Sequence, residues 1–289
     1  MSTSSQAVGY ALLSLFFAGC LDVVYKRYAL RQRSRGMFLA GTGAVWGLLQ
    51  LITLKLSGQS ISMDPHTVKF GLTAGVLVTL SNLLLIESLT HLQVRLGSTI
   101  YRLTTIGVVL LSFLFLGESL ETFQVLGITC GIVATLLLYQ RNSDALAPQM
   151  VNLFFWIIIL ASMLRAGFSV VTKAGLSLDA SGPTMLVIAS TCWMVGGLSY
   201  ALLRERRVKI TASKVKYSLI SGVLVYLIVS TLFAALERGD ASVVVPIANL
   251  SFVIALGISL VFGMGRLNIR KCIALAFASA SIILLTQMP

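Results

Sequence analysis

Arg102, Arg165 and Asp22 each stand well inside a long apolar stretch of the chain. Arg102 lies in GSTIYRLTTIGVVLLSF (97 to 113), which otherwise reads as the middle of a membrane-crossing helix. A charge near the centre of a bilayer costs about 2.5–3.5 kcal/mol on insertion scales, so such residues face a cavity or a partner. A guanidinium offers a planar fork of donors that matches carboxylate, sulfonate or phosphate. A carboxylate can neutralise an arginine or carry a proton. Two readings of the three residues follow: Arg102, with or without Arg165, grips an anionic group, or Asp22 forms a structural ion pair with one of the arginines. One acid cannot neutralise both arginines, and the positive charge left over favours an anionic or zwitterionic small molecule.

Other residues extend this constellation. Tyr101 beside Arg102, with Asn82, Asn249 and Ser251, could hydrogen-bond a solute or a neighbouring helix. Trp46 and Trp193 fall mid-helix, as packing residues or as a wall of the site. Lys26 and Lys173 sit near the ends of spans, where a lysine snorkels to the headgroups or serves as a gate. Glu87 and Glu237 pair with basic neighbours at the interface or, with a pKa raised by burial, carry a coupling proton; Asp22 is the other proton-carrier candidate.

These residues must be positioned by membrane-spanning helices. The chain is 57% hydrophobic and 11% charged, with a mean hydropathy of +0.92. Its apolar runs are about twenty residues long, enough to cross roughly 30 Å of hydrocarbon, and they lack the alternation of an outer-membrane barrel. About ten spans are expected: 6–27, 37–56, 68–90, 95–116 and 120–140, then 150–173, 183–203, 214–236, 241–264 and 268–287. The first span is too long for a signal-peptide core and is read as retained. A polar connector, RNSDALAPQ (141 to 149), separates a first five-helix half, 1–140, from a second, 150–289. The halves resemble one another. LDVVYKRYAL (21 to 30) aligns with FSVVTKAGL (168 to 176), Trp46 with Trp193, and GITCGIVATLLLYQ (127 to 140) with ALAFASASIILLTQ (274 to 287), all offset by 147 residues. A drift to 150 would match Glu87 to Glu237 and Gly107 to Gly257. Five helices per half is an odd number, so the halves enter the membrane from opposite sides. The fold class is therefore all-α, ten transmembrane helices in two inverted repeats, an architecture of many secondary transporters.

Charge sets orientation and removes alternatives. Most of the 22 lysines and arginines fall in loops on one side, which places both termini outside. The net charge of +12 is thus spent on anionic lipid rather than nucleic acid. No GxxxxGK[ST] loop is present for ATP. Four cysteines without CxxC spacing and two loop histidines offer no metal site, and no cofactor is expected. An enzyme would need an acid, base and nucleophile at one depth, and a scaffold would not need inward-facing arginines; neither reading is favoured.

Ten helices in two halves, the stretch LGESLETFQVLG (116 to 127) with its Gly117–Glu118 step, and Pro246 early in the ninth span resemble the drug/metabolite transporter superfamily in its EamA-like branch. The resemblance covers the whole chain. It implies a central cavity between the halves, lined by helices 1, 3, 4, 6, 8 and 9, and alternating access by rocking. The expected function is secondary transport of a small organic metabolite, anionic or zwitterionic, with proton coupling open; export of amino acids or amphipathic amines is the alternative. The expected partners are that solute and membrane lipids, as a monomer or homodimer in a bacterial inner membrane.

Overall fold

The computed structural model describes residues 3–29, 34–91, 104–137, 148–206, 208, 210–261 and 268–286. Among these, every regular element is a helix: α1 (Thr3–Ala29), α2 (Arg35–Leu56), α3 (Pro65–His91), α4 (Thr104–Leu116), α5 (Thr122–Leu137), α6 (Pro148–Ser177), α7 (Gly182–Tyr200, continued by a π turn, Ala201–Glu205), α8 (Ala212–Arg238), α9 (Ala241–Asn249), α10 (Phe252–Val261) and α11 (Ile269–Thr286). Eight segments are long and apolar enough to cross a membrane, and α4 and α5 are shorter apolar helices. The side chains that ring them, such as Leu56 (83% exposed) and Phe115 (75%), suit a lipid surround. The protein is an all-α integral membrane protein.

Over the described residues the expected spans and the observed helices agree within a few residues except at the ninth, and residues 95–103 of the fourth span lie outside the described residues. At the ninth a continuous helix over 241–264 was expected, but α9 stops at Asn249 and α10 starts at Phe252. Pro246 has no N–H to give to the preceding turn. The Leu250 N–H then turns to Ile247 O at 3.1 Å, and the helix restarts with Val253 N–H on Leu250 O at 3.0 Å.

Lipid is as apolar as a leucine side chain, so helices in a membrane associate through close packing and interhelical hydrogen bonds. Four antiparallel pairs do this here. In α1 and α8 the Ser14 hydroxyl donates to Ile228 O at 3.1 Å; in α3 and α6 the Ser81 hydroxyl donates to Ala161 O at 2.7 Å. In α5 and α11, Ser281 donates to Gly127 O at 2.6 Å. Helices α2 and α7 meet through glycines. A Cβ on Gly197 would lie 2.5 Å from Ala40 N, one on Gly36 2.5 Å from Ala201 N, and one on Gly43 2.8 Å from Met194 N. Trp46 and Trp193 touch at the middle of this seam, edge to face, with ring centroids 5.8 Å apart.

Helix ends are closed by side chains from elsewhere in the sequence. Glu205 accepts from the Arg35 N–H at 2.7 Å and from the Ser34 hydroxyl, capping α2. The Ser62 N–H donates to Thr184 Oγ1 at 3.1 Å, and the Ser181 N–H to Thr67 Oγ1 at 2.8 Å. Asp64 caps α3 through the Thr67 N–H at 2.8 Å, and the Ser62 hydroxyl bound to it holds its carboxyl well below the usual carboxylate range.

Gly197→Ala places a methyl against backbone, and it is expected to lower stability in detergent by about 1–3 kcal/mol. Gly9, inside α1, has nothing within 4 Å of its added Cβ. Gly9→Ala is expected to raise stability by about 0.5–1 kcal/mol. Thermal unfolding of the two variants checks the pair; equal effects would contradict the packing described for α2 and α7.

Candidate functional site

The break between α9 and α10 gathers polar groups from two other helices. On one side Asn249 Nδ2 donates to Thr105 Oγ1 of α4 at 3.1 Å. On the other, the Ser251 hydroxyl donates to Asp22 Oδ2 of α1 at 3.3 Å. Helix α1 can come this close because Gly19, one turn before Asp22, has no side chain; a Cβ there would lie 2.7 Å from Ser251 O. The acid, an amide and two hydroxyls thus meet where the backbone leaves helical geometry. Discontinuous membrane helices of this kind place main-chain dipoles at solute and ion sites.

The other sequence candidates are dispersed. Arg165 of α6 lays its guanidinium over the Phe168 ring at 5.3 Å and meets that aromatic face rather than Asp22. Asn82 returns its amide to Val78 O of its own helix at 2.7 Å. Trp46 is fully buried and Trp193 nearly so, each against the other, so they pack the seam between α2 and α7. Arg102 and Tyr101 lie outside the described residues, and so does the side chain of Lys26, whose backbone belongs to α1.

The charged candidates at the helix ends have partners. Glu87 forms an ion pair with Arg204 at 2.9 Å and accepts from the Tyr200 hydroxyl at 2.6 Å. Glu237 pairs with its neighbour Arg238 at 3.0 Å, whose guanidinium also covers the Tyr10 ring at 5.1 Å. Lys173 donates to Leu236 O at 2.6 Å and Gly239 O at 2.8 Å, where a cation suits the C-terminal dipole of α8. Beside it opens a cleft of about 310 Å³ lined in part by Lys173, Ser177, Asp179 and Glu237.

Two features escaped the sequence. Glu118 stands in sequence just before α5. Gly117, at φ +65°, ends α4, and the Glu118 carboxylate reaches the start of α9, accepting from the Ala241 N–H at 2.9 Å and the Ser242 N–H at 2.8 Å. The second feature is a polar cavity of about 10 Å³, bordered by Thr105, Thr135, Asn249 and Ser281 under Pro246. Only Pro246 pointed to it in the sequence.

Comparison with known proteins now bears on this arrangement. Residues 5–140 match the EamA-like transporter family. The match covers the first of the two halves. A solved structure described as "Crystal structure of protein" superposes with a TM-score of 0.84 over 97% of this chain and 96% of that one, at 17% identity, so the two share a fold over both halves. No curated protein matches the chain by sequence. The first half is thus similar to membrane transporters of the drug/metabolite type.

Asp240, at the turn between α8 and α9, is pushed above the usual carboxylate range, chiefly by burial and then by the charge of Glu118, with Lys173 opposing. An acid raised on folding binds its proton more tightly in the folded protein. Ionisation therefore costs stability, fully above its folded pKa and not at all below the ordinary value of about 3.9. Asp240→Asn is expected to raise the unfolding midpoint at pH 7–8, a gain that vanishes as pH falls to about 4. A gain independent of pH would contradict this cause.

Proposed function

We propose that the protein is a secondary transporter of a small organic metabolite bearing an anionic group. It works by alternating access between two inverted repeats, 1–140 and 150–289, joined by the connector 141–149. The observation that carries this reading is a set of contacts that recur when the halves are exchanged. Adding 147 to one partner and subtracting it from the other turns the bond of Ser14 to Ile228 into the position pair of Ser81 and Ala161, itself bonded. The same exchange turns Gly43–Met194 into Gly47–Ser190, Gly75–Cys192 into Gly222–Val45, and Gly107–Ala166 into Gly19–Ile254. It maps Trp46 and Trp193 onto each other. Antiparallel packing of each exchanged pair supports opposite entry into the membrane, and two interchangeable halves supply two equivalent, oppositely facing states.

The offset stays at 147 through these helices, so the drift to 150 is dropped. Glu87 then faces Ala234 as its counterpart rather than Glu237, in keeping with their different partners. Arg102 becomes the counterpart of Asn249, the residue at the helix break. We assign Arg102 the anionic group of the solute, with Asp22, Asn249 and Ser251 forming the polar surround and Arg165 a second basic group at the same bundle. Lys26, counterpart of Lys173 in sequence, is proposed as a gate residue. The loop charges support termini outside and an inner-membrane location. Asp22 within the cluster favours a second reading, an amine or amino acid as cargo.

The test is thermal unfolding of purified protein against sugar phosphates, carboxylates, sulfonates, amino acids and quaternary amines, beside Arg102→Gln and Asp22→Asn. Ligand at a hundred times Kd stabilises by about 2.7 kcal/mol. An anion is expected to stabilise the wild type and Asp22→Asn and to lose its effect in Arg102→Gln. A response to amines alone, abolished in Asp22→Asn, would replace this substrate class with the second reading.

A further inference from the structure

We propose that the cavity beneath Pro246 is a sodium site, and that sodium is the ion whose gradient drives transport; the coupling role rests on the transport reading above. The cavity holds about 10 Å³, room for one water-sized occupant. Its lining joins the broken helix and α4 to the pair α5 and α11.

Two of the hydroxyls there present oxygen rather than hydrogen. A hydroxyl has one proton and two lone pairs. Thr135 spends its proton on Gly131 O at 3.0 Å, and Ser281 spends its own on Gly127 O at 2.6 Å. Both oxygens can then offer only lone pairs. Pro246 borders the cavity too, and the Leu250 N–H that would bind its carbonyl in a regular helix binds Ile247 O instead. The cavity lies at the C-terminal end of α9, the negative end of that half-helix. Ends of this sort, with neighbouring oxygens, hold alkali ions in broken transporter helices. No carboxylate is among the lining residues, so a single positive charge fits and a divalent ion would be left poorly compensated.

Exchange of the halves provides an internal control. The counterparts of Thr105, Thr135, Ser281 and Gly131 are Phe252, Ile282, Ala134 and Ala278. Phe252, Ala134 and Ala278 are buried and Ile282 is half-buried, so the three hydroxyls have apolar counterparts in the other half, while Asn249 has Arg102. Duplication of the frame therefore does not account for the oxygens. They are present on one side only, as a site that couples transport to one ion would require.

The experiment is thermal unfolding of the whole purified protein in sodium, potassium or choline chloride at equal ionic strength, for the wild type, Ser281→Ala, Thr135→Val and Thr135→Ser. Sodium is expected to raise the midpoint saturably, beyond potassium and choline. Ser281→Ala and Thr135→Val are expected to raise the half-saturating sodium concentration about tenfold or more, the change produced by ~1.4 kcal/mol. Thr135→Ser keeps the oxygen and is expected to retain the response. Midpoints in choline report whether each variant folds, and Ala134 already occupies the position equivalent to Ser281. Equal effects of sodium and choline, or a sodium effect that both oxygen-deleting variants keep, would overturn the proposal and leave the cavity to water. The anion panel repeated in choline separates the two readings: anion binding without any sodium effect sinks this site alone, and a sodium effect without any solute response keeps the site while sinking the substrate assignment.

Discussion

Bare helix ends are the constraint on which this fold turns. A backbone N–H or C=O without a partner costs several kcal/mol in hydrocarbon, and each helix leaves four of each at its ends. Here the partners come from far along the chain. Glu118 of the first half closes the start of α9 in the second, while Glu205 of the second closes the start of α2 in the first. Thr67 and Thr184 exchange bonds with Ser181 and Ser62 in the same reciprocal manner. Capping that is local in a soluble helix has become the stapling of one half to the other.

Between these stapled ends the interior is held by proximity. Interhelical hydrogen bonds in membranes average only about 0.6 kcal/mol, so the serine bonds of α1, α3 and α11 fix register more than they supply energy. Dispersion grows with closeness, and the glycines of α2 and α7 permit backbone contact where any side chain would collide. The break at Asn249–Ser251 belongs to the same economy of space. Gly19 brings α1 against it, and the polar groups the break frees are taken up by Thr105 and Asp22.

Helix number and approximate bounds were legible because a run of twenty apolar residues has one stable solution in a bilayer. The proposed repeat rests on Trp46 and Trp193 and the matching fifth and tenth spans. Side-chain partners were not legible. Glu118 precedes α5 in sequence, yet it is spent on α9, more than a hundred residues away, and no local pattern records that. Lys173 read as a snorkelling lysine or a gate, since both place an amine near a helix end, and its use as a cap of α8 was not visible. Pro246 signalled a distortion, but the chain leaves helical geometry one turn later, where Gly19 and Asp22 of α1 meet it. The charges at Arg102 were legible only as an anomaly of composition, and Arg102 lies outside the described residues.

If the halves are exchangeable, positions that match across the exchange build the frame and cannot give transport a direction, because each acts alike in both states. Direction must come from positions that differ. Among the differences in charge and polarity are Arg102 against Asn249, Arg165 against Ala18, Asp22 against Ser169 and Thr105 against Phe252. A frame kept symmetric can rock at little cost between two states of similar energy. An asymmetric lining lets a bound solute or ion prefer one of them, and a ligand shifts such an equilibrium only by its difference in affinity for the two states. The residues that break the symmetry are therefore the ones through which cargo and gradient act on the protein.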